Sequence, residues 1–114
     1  MSTPQEMLRL YRAAAAVTKD ILDCARQGDW DRVLTLGDVY VDLVEQIKRL
    51  GYVPPLDDDD RACKYQLLVD IMANDAATRN LALPSLEKLG ALIGTMKRQQ
   101  ALAQAYGPAA AAAT

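Results

Sequence analysis

Apolar residues recur at alternating spacings of three and four along most of this chain, the mark of helices that bury one face. The first stripe is Met7, Leu10, Ala14, Val17, Ile21 and Cys24, widened by Leu8, Tyr11, Leu22 and Ala25. Thr3-Pro4-Gln5-Glu6 starts it well: Thr3 caps, Glu6 reciprocates three residues later, and Pro4 occupies the first turn, where its missing N–H costs nothing. Gly28 ends this helix and Asp29 caps the next, so the connection is very short and the two helices are antiparallel neighbours. The second stripe is Val33, Leu36, Tyr40, Leu43, Ile47 and Leu50, with Trp30, Gly37, Val41 and Val44 beside it. Gly51 closes that helix, and Tyr52-Val53-Pro54-Pro55-Leu56 reads as an extended loop, because paired prolines block helical continuation.

A third helix presents Cys63, Leu67, Leu68, Ile71 and Met72, then turns polar through Asn74, Asp75, Thr78, Arg79 and Asn80. Pro84 predicts a kink or restart, since an interior proline costs about 3 kcal/mol in a straight helix. Beyond it Leu86, Leu89, Ile93 and Met96 rebuild the stripe, while Gly90 and Gly94 thin it, and Gly94 reads as a hinge. From Met96 the helix is mostly polar, with Leu102 and Tyr106 four apart on a sparse apolar edge, so its hold on the rest should be weak. Gly107-Pro108 predicts its end, and the alanine-rich stretch after it reads as a disordered tail. The expected architecture is an all-α antiparallel bundle of about four helices. Its divisions are a core over residues 1–94, a C-terminal helix over 95–107 within the same domain, and a tail over 108–114.

Composition supports this class. Aromatics make up only 5% of the 114 residues, with no Phe, so aliphatic side chains and alanine must do the packing, which favours close helices over a sheet sandwich. The net charge of −2 offers no general attraction to nucleic acid or to an anionic membrane. Its distribution is uneven: residues 1–60 carry net −5 and residues 61–114 net +3. Mutual packing of the halves explains this structurally; a basic C-terminal face for an acidic partner explains it functionally.

Candidate chemistry is sparse. The chain has no histidine, the commonest general acid–base and metal ligand. Cys24 and Cys63 lack metal or redox spacing and read as buried free thiols in a reducing compartment. Asp57 to Asp60 invites a Ca²⁺ loop, but Arg61 stands at a ligand position and no glycine follows, so the carboxylates read as helix capping. Without a basic, apolar leader or a run of about 20 apolar residues, the expectation is a cytoplasmic protein with no membrane insertion. We therefore expect no catalytic residues, no metal and no cofactor, and a surface that binds other chains. Trp30 reads as a plug locking the first helix pair, with Gly28 its structural turn. Tyr40 reads as core, and Tyr106 as a latch.

Several of these residues also carry a resemblance: Ala25-Arg26-Gln27-Gly28-Asp29-Trp30-Asp31 at the first junction, Tyr40, Leu92-Ile93-Gly94, and Arg98-Gln99 through Leu102 to Ala105-Tyr106-Gly107. Over roughly residues 7–107 the chain resembles the flagellar export chaperone FliT family. The resemblance implies a cytoplasmic chaperone that binds the C-terminal region of the filament-capping protein FliD and delivers it to the type III export gate. It also implies a C-terminal helix that covers the binding surface, contacts with the export ATPase and its associated components, and in some bacteria restraint of the flagellar master transcription regulator. Pro84 departs from the family's usually uninterrupted third helix.

Combining both readings, a groove lined by Tyr40, Val44, Leu68, Ile71 and Met72 and flanked by Arg79 would take an amphipathic partner helix. The helix bearing Arg98, Leu102 and Tyr106 would regulate access to it. Three further readings stand beside this one: a chaperone for hook–filament junction proteins, a protein-binding inhibitor of a transcription factor without direct contact to nucleic acid, and a homo-oligomer in which the same stripes pair with themselves.

Overall fold

The computed structural model describes the backbone of residues 2–112 and the side chains of residues 2–104. Those residues form three helices and no strand: α1 (Pro4–Arg26), α2 (Trp30–Lys48) and α3 (Asp58–Ala112). The all-α class holds, but the expected count of about four helices becomes three because Pro84 does not divide α3. Proline at 84 removes the donor to the Asn80 carbonyl. Asn80 and Pro84 both lie on exposed helix surface, where water can take the orphaned acceptor. Gly107-Pro108 does not end the helix either, for α3 runs through to Ala112. The local term favouring continuation is the alanine run after Pro108, the best helix former available.

Packing divides the chain into two compact units, Met1–Leu81 and Ala82–Thr114. In the first, α1 is the buried element. Its core residues are Met7, Leu8, Leu10, Ala14, Thr18, Leu22, Cys24 and Ala25, whereas α2 has none fully buried. α2 packs along α1. α3 meets α1 through side-chain contacts at Cys63, Lys64 and Asn74, and its Ile71 is buried. Each fully buried Leu or Met of α1 contributes about 1.5–3 kcal/mol over its exposed state, so most of the apolar stabilisation is concentrated in one helix. The five ion pairs among the described residues are all exposed and lie within single helices, three or four residues apart. Pairs of that kind contribute little and fix no helix against another.

The termini of these helices follow their local sequence. Thr3 Oγ1 accepts from the Glu6 amide at 3.1 Å, and the Glu6 carboxylate accepts from the Thr3 amide at 3.4 Å, completing a capping box ahead of Pro4. At the other end Gly28 takes φ +75°. Its amide donates to Ala25 at 3.1 Å, and the next amide, of Asp29, donates to Cys24 at 2.9 Å, which satisfies the last carbonyls of α1 in a Schellman arrangement. Asp29 then caps α2 by accepting from the Arg32 amide at 3.2 Å. One residue therefore closes one helix and opens the next. Asp57 does the same service for α3, accepting from the Asp60 amide at 2.7 Å. The acidic run at residues 57–60 thus includes a working cap, with the remaining carboxylates in the first turn, where the helix dipole favours them. The loop between α2 and α3 is tied back at Tyr52, whose carbonyl accepts from the Ser2 amide at 3.1 Å.

Cys24 is buried as expected, but Cys63 is only half-buried. Its Sγ accepts from Arg12 Nη2 of α1 at 3.6 Å, an exposed contact between α1 and α3.

Candidate functional site

The residues expected to line a partner groove are distributed over two helices and several depths. Tyr40 and Val44 are half-buried on the inner stripe of α2, the side that carries Val33, Leu36, Leu43 and Ile47. On α3, Ile71 is 9% exposed and belongs to the core, while its neighbour Met72 is 69% exposed. Adjacent residues on a helix point about 100° apart, so these two serve different surfaces. Leu68 is half-buried between them, and Arg79 is exposed and held by Asp75 at 3.1 Å.

What α3 does assemble in the first unit is an outward ridge. Tyr65, Val69 and Met72 are exposed at spacings of four and three, with Leu68 on their flank and Arg79 continuing the line. Beside the start of that ridge is a cleft of about 610 Å³ lined by Pro55, Leu56, Arg61, Lys64, Tyr65 and Leu68. Its cations are partly committed. Arg61 pairs with Asp58, and the Lys64 ammonium sits 5.6 Å from the centre of the Tyr11 ring. Pro55, Leu56 and Leu68 supply the cleft's apolar lining. Tyr65, Pro55 and Leu56 were not singled out from sequence. The available signal was Tyr65's position three before Leu68 and seven before Met72.

Thr18 and Asn74 form a second feature that the apolar pattern conceals. Asn74 Nδ2 donates to Thr18 Oγ1 at 3.2 Å, Thr18 Oγ1 donates to the Ala15 carbonyl at 2.9 Å, and Thr78 Oγ1 donates to the Asn74 carbonyl at 2.9 Å. This polar layer joins α3 to α1 one turn beyond Ile71. Its signal in the sequence is register: Thr18 follows Ala14 by four and precedes Ala25 by seven, so it lies within the buried face.

Trp30 is half-buried at the first position of α2, and Gly28 holds the positive φ required of it. In the second unit the stripe Leu86, Leu89, Ile93 and Met96 is exposed, as are Arg98 and Leu102, the latter at 57%. Tyr106 lies outside the residues whose side chains are described. Among the described residues no helix is long and apolar enough to cross a membrane.

The fold and surface define a small all-α protein with a tightly joined helical hairpin, a long third helix, and exposed apolar helix surface as its main chemical offering. Residues 8–108 match the family model described as flagellar protein FliT, and the chain belongs to that family. It is 31% identical over 103 residues to the flagellar protein FliT of Cronobacter sakazakii, covering 88% of this chain and 82% of that protein. The flagellar protein FliT of Pectobacterium carotovorum is 26% identical over 106 residues, 93% of this chain and 84% of that one. Among solved structures, the crystal structure of flagellar protein FliT from Bordetella bronchiseptica matches with a TM-score of 0.71 at 44% identity, covering 75% of this chain and 97% of that chain.

Proposed function

We propose that this protein is a cytoplasmic flagellar export chaperone that binds the C-terminal region of the filament-capping protein FliD and delivers it to the export apparatus, including the export ATPase. Membership of the FliT family supports the flagellar role. The observation that carries the binding reading is the α3 ridge: Met72 is 69% exposed, about 100° around the helix from Ile71, which is committed to the core. A large, unbranched thioether on open helix surface suits a docking site that must accept an amphipathic client helix.

In this reading Leu68 and Met72 form the apolar contact, Tyr65 and the adjoining cleft extend it, and Arg79 flanks it. Tyr40 and Val44 contribute from α2, with Ile71 beneath as support. Access is regulated by the C-terminal helix through Arg98, Leu102 and Tyr106. The exposure of Leu102 supports this assignment, since a segment that gains little by packing yields easily to a client.

The test is a titration of the FliD C-terminal peptide against three proteins: the full chain, a chain ending at residue 94, and a full-length Met72→Asp variant. The truncated chain should bind more tightly and Met72→Asp at least tenfold more weakly. Equal affinity of the full and truncated chains would remove the regulatory role, and normal binding by Met72→Asp would remove the ridge as the client site.

A further inference from the structure

The outer face of α2 carries a surface that the client reading leaves unused. Taken at about 100° per residue, Asp31, Leu34, Asp38, Val41, Asp42 and Glu45 fall within one arc of about 100°, opposite the stripe turned toward α1. Leu34 is 71% exposed and Val41 58%. They stand seven apart, two turns along the same line, with carboxylates between and beside them. Single exposed aliphatics are ordinary on protein surfaces. Two in register beside a row of four carboxylates form a patterned strip.

The charges on this strip are largely free to act outward. Among the described residues Asp31, Asp38 and Asp42 enter no ion pair. Asp42 accepts only the neutral amide of Gln46, at 2.8 Å, and Glu45 alone is paired, with Lys48 at 3.5 Å. Lys48 lies about 20° outside the Val41 edge of the arc and Arg32 about 80° outside the Asp42 edge, and Arg49 stands beyond the C-terminal end of the helix. The centre is acidic.

We propose that this face of α2 is a second docking surface, and that its partner is a basic amphipathic helix of another protein. Leu34 and Val41 would sit against the partner's apolar stripe, with lysines or arginines along one side of that stripe meeting Asp31, Asp38, Asp42 and Glu45. Charge complementarity selects this occupant. Nucleic acid and the anionic leaflet of a membrane would both be repelled by the four carboxylates. A second copy laid face to face about a two-fold axis would bring the same acidic strip against itself.

The experiment uses a fluorescein-labelled 18-residue helical peptide with leucines at positions i, i+3, i+7 and i+10 and lysines flanking that stripe, titrated against the full chain by anisotropy. The surface variants are Asp38→Lys/Asp42→Lys and Leu34→Ala/Val41→Ala. The control is Asp20→Lys/Asp70→Lys, an equal charge change on the exposed surfaces of α1 and α3. The α2 charge reversal should weaken binding at least tenfold and the apolar truncation at least fivefold, while the control stays within twofold and a glutamate-substituted peptide fails to bind. Equal loss in the control would reduce the effect to bulk charge and overturn the proposal, as would absent binding by the original protein. A concentration-dependent dimer abolished by Leu34→Arg would overturn it in favour of a second copy. The surface is separate from the proposed client site, so Asp38→Lys/Asp42→Lys should leave FliD-peptide affinity within twofold. Loss of that affinity would show a single shared surface and overturn the separation.

Discussion

Two glycines in this chain should respond to the same substitution with opposite sign, and the contrast isolates backbone conformation from packing. Gly28 has φ +75°, and a Cβ built on it meets nothing within 4 Å. Gly37 lies inside α2, and an added Cβ there also meets nothing within 4 Å. Sterics against neighbours are therefore equal, and the difference is intrinsic to the backbone. At Gly28 an alanine must hold a left-handed conformation that places Cβ too close to its own carbonyl, at a cost of about 1–2 kcal/mol. At Gly37 an alanine removes unfolded-chain freedom and favours the helix, a gain of about 0.5–1 kcal/mol. Gly28→Ala and Gly37→Ala should thus be separated by about 1.5–3 kcal/mol in urea denaturation followed by far-UV circular dichroism, with unchanged slopes. Gly28→Asn should fall between Gly28→Ala and the original protein, because asparagine visits the left-handed region more readily. If Gly28→Ala matched the original protein, the Schellman junction between α1 and α2 would not require this conformation. If Gly28→Asn were the worse variant, strain at φ would be the wrong cause.

The polar layer between α1 and α3 gives the next test. Thr18→Val should cost about 1–2 kcal/mol by leaving the Asn74 amide without its partner, and adding Asn74→Leu should recover part of that loss, a non-additivity that a double-mutant cycle reads directly. At residue 84, Pro84→Ala restores the donor to the Asn80 carbonyl and should slow hydrogen exchange in the helix around it. The local gain should approach the about 3 kcal/mol by which alanine exceeds proline in an exposed helix interior. Unchanged exchange would mean that the helix at this point is limited by something other than proline.

The parts of the fold written in local chemistry were readable in advance. Thr3, Pro4 and Glu6, then Gly28 and Asp29, and then Asp57 each set a helix end through bonds within a few residues, and each stands where the sequence places it. What could not be read was set by packing at long range. The α1 seam was expected along Met7, Leu10, Ala14, Val17, Ile21 and Cys24, yet Val17 and Ile21 are half-buried and the face turns toward Thr18, Leu22 and Ala25. A polar Thr18 looks like an interruption until Asn74, 56 residues later, supplies its partner. The groove residues suffer from the same limit. Spacing groups Ile71 with Met72 as apolar neighbours, but only the approach of α1 decides which is buried. Pro84 and Gly107-Pro108 failed as stop signals for a related reason. An interior proline costs about 3 kcal/mol on exposed helix too, and what a stop rule leaves out is the helical preference of the residues on both sides, the alanine run after Pro108 among them.

The burial pattern also explains how so small a protein can offer more than one surface. α1 supplies most of the core by itself, so α2 and α3 need only one face each to be held. Their other faces are then free of structural duty, and both carry large apolar side chains there: Leu34 and Val41 on α2, Tyr65, Val69 and Met72 on α3. The two faces differ in electrostatic character. On the α2 strip Asp31, Asp38 and Asp42 enter no ion pair among the described residues, whereas beside the α3 ridge Arg61 and Arg79 are each paired with a carboxylate of their own helix, Asp58 and Asp75. The proposed α2 surface would therefore select a basic partner by charge and the proposed α3 surface a client by apolar shape, and neither choice follows from the overall charge of −2.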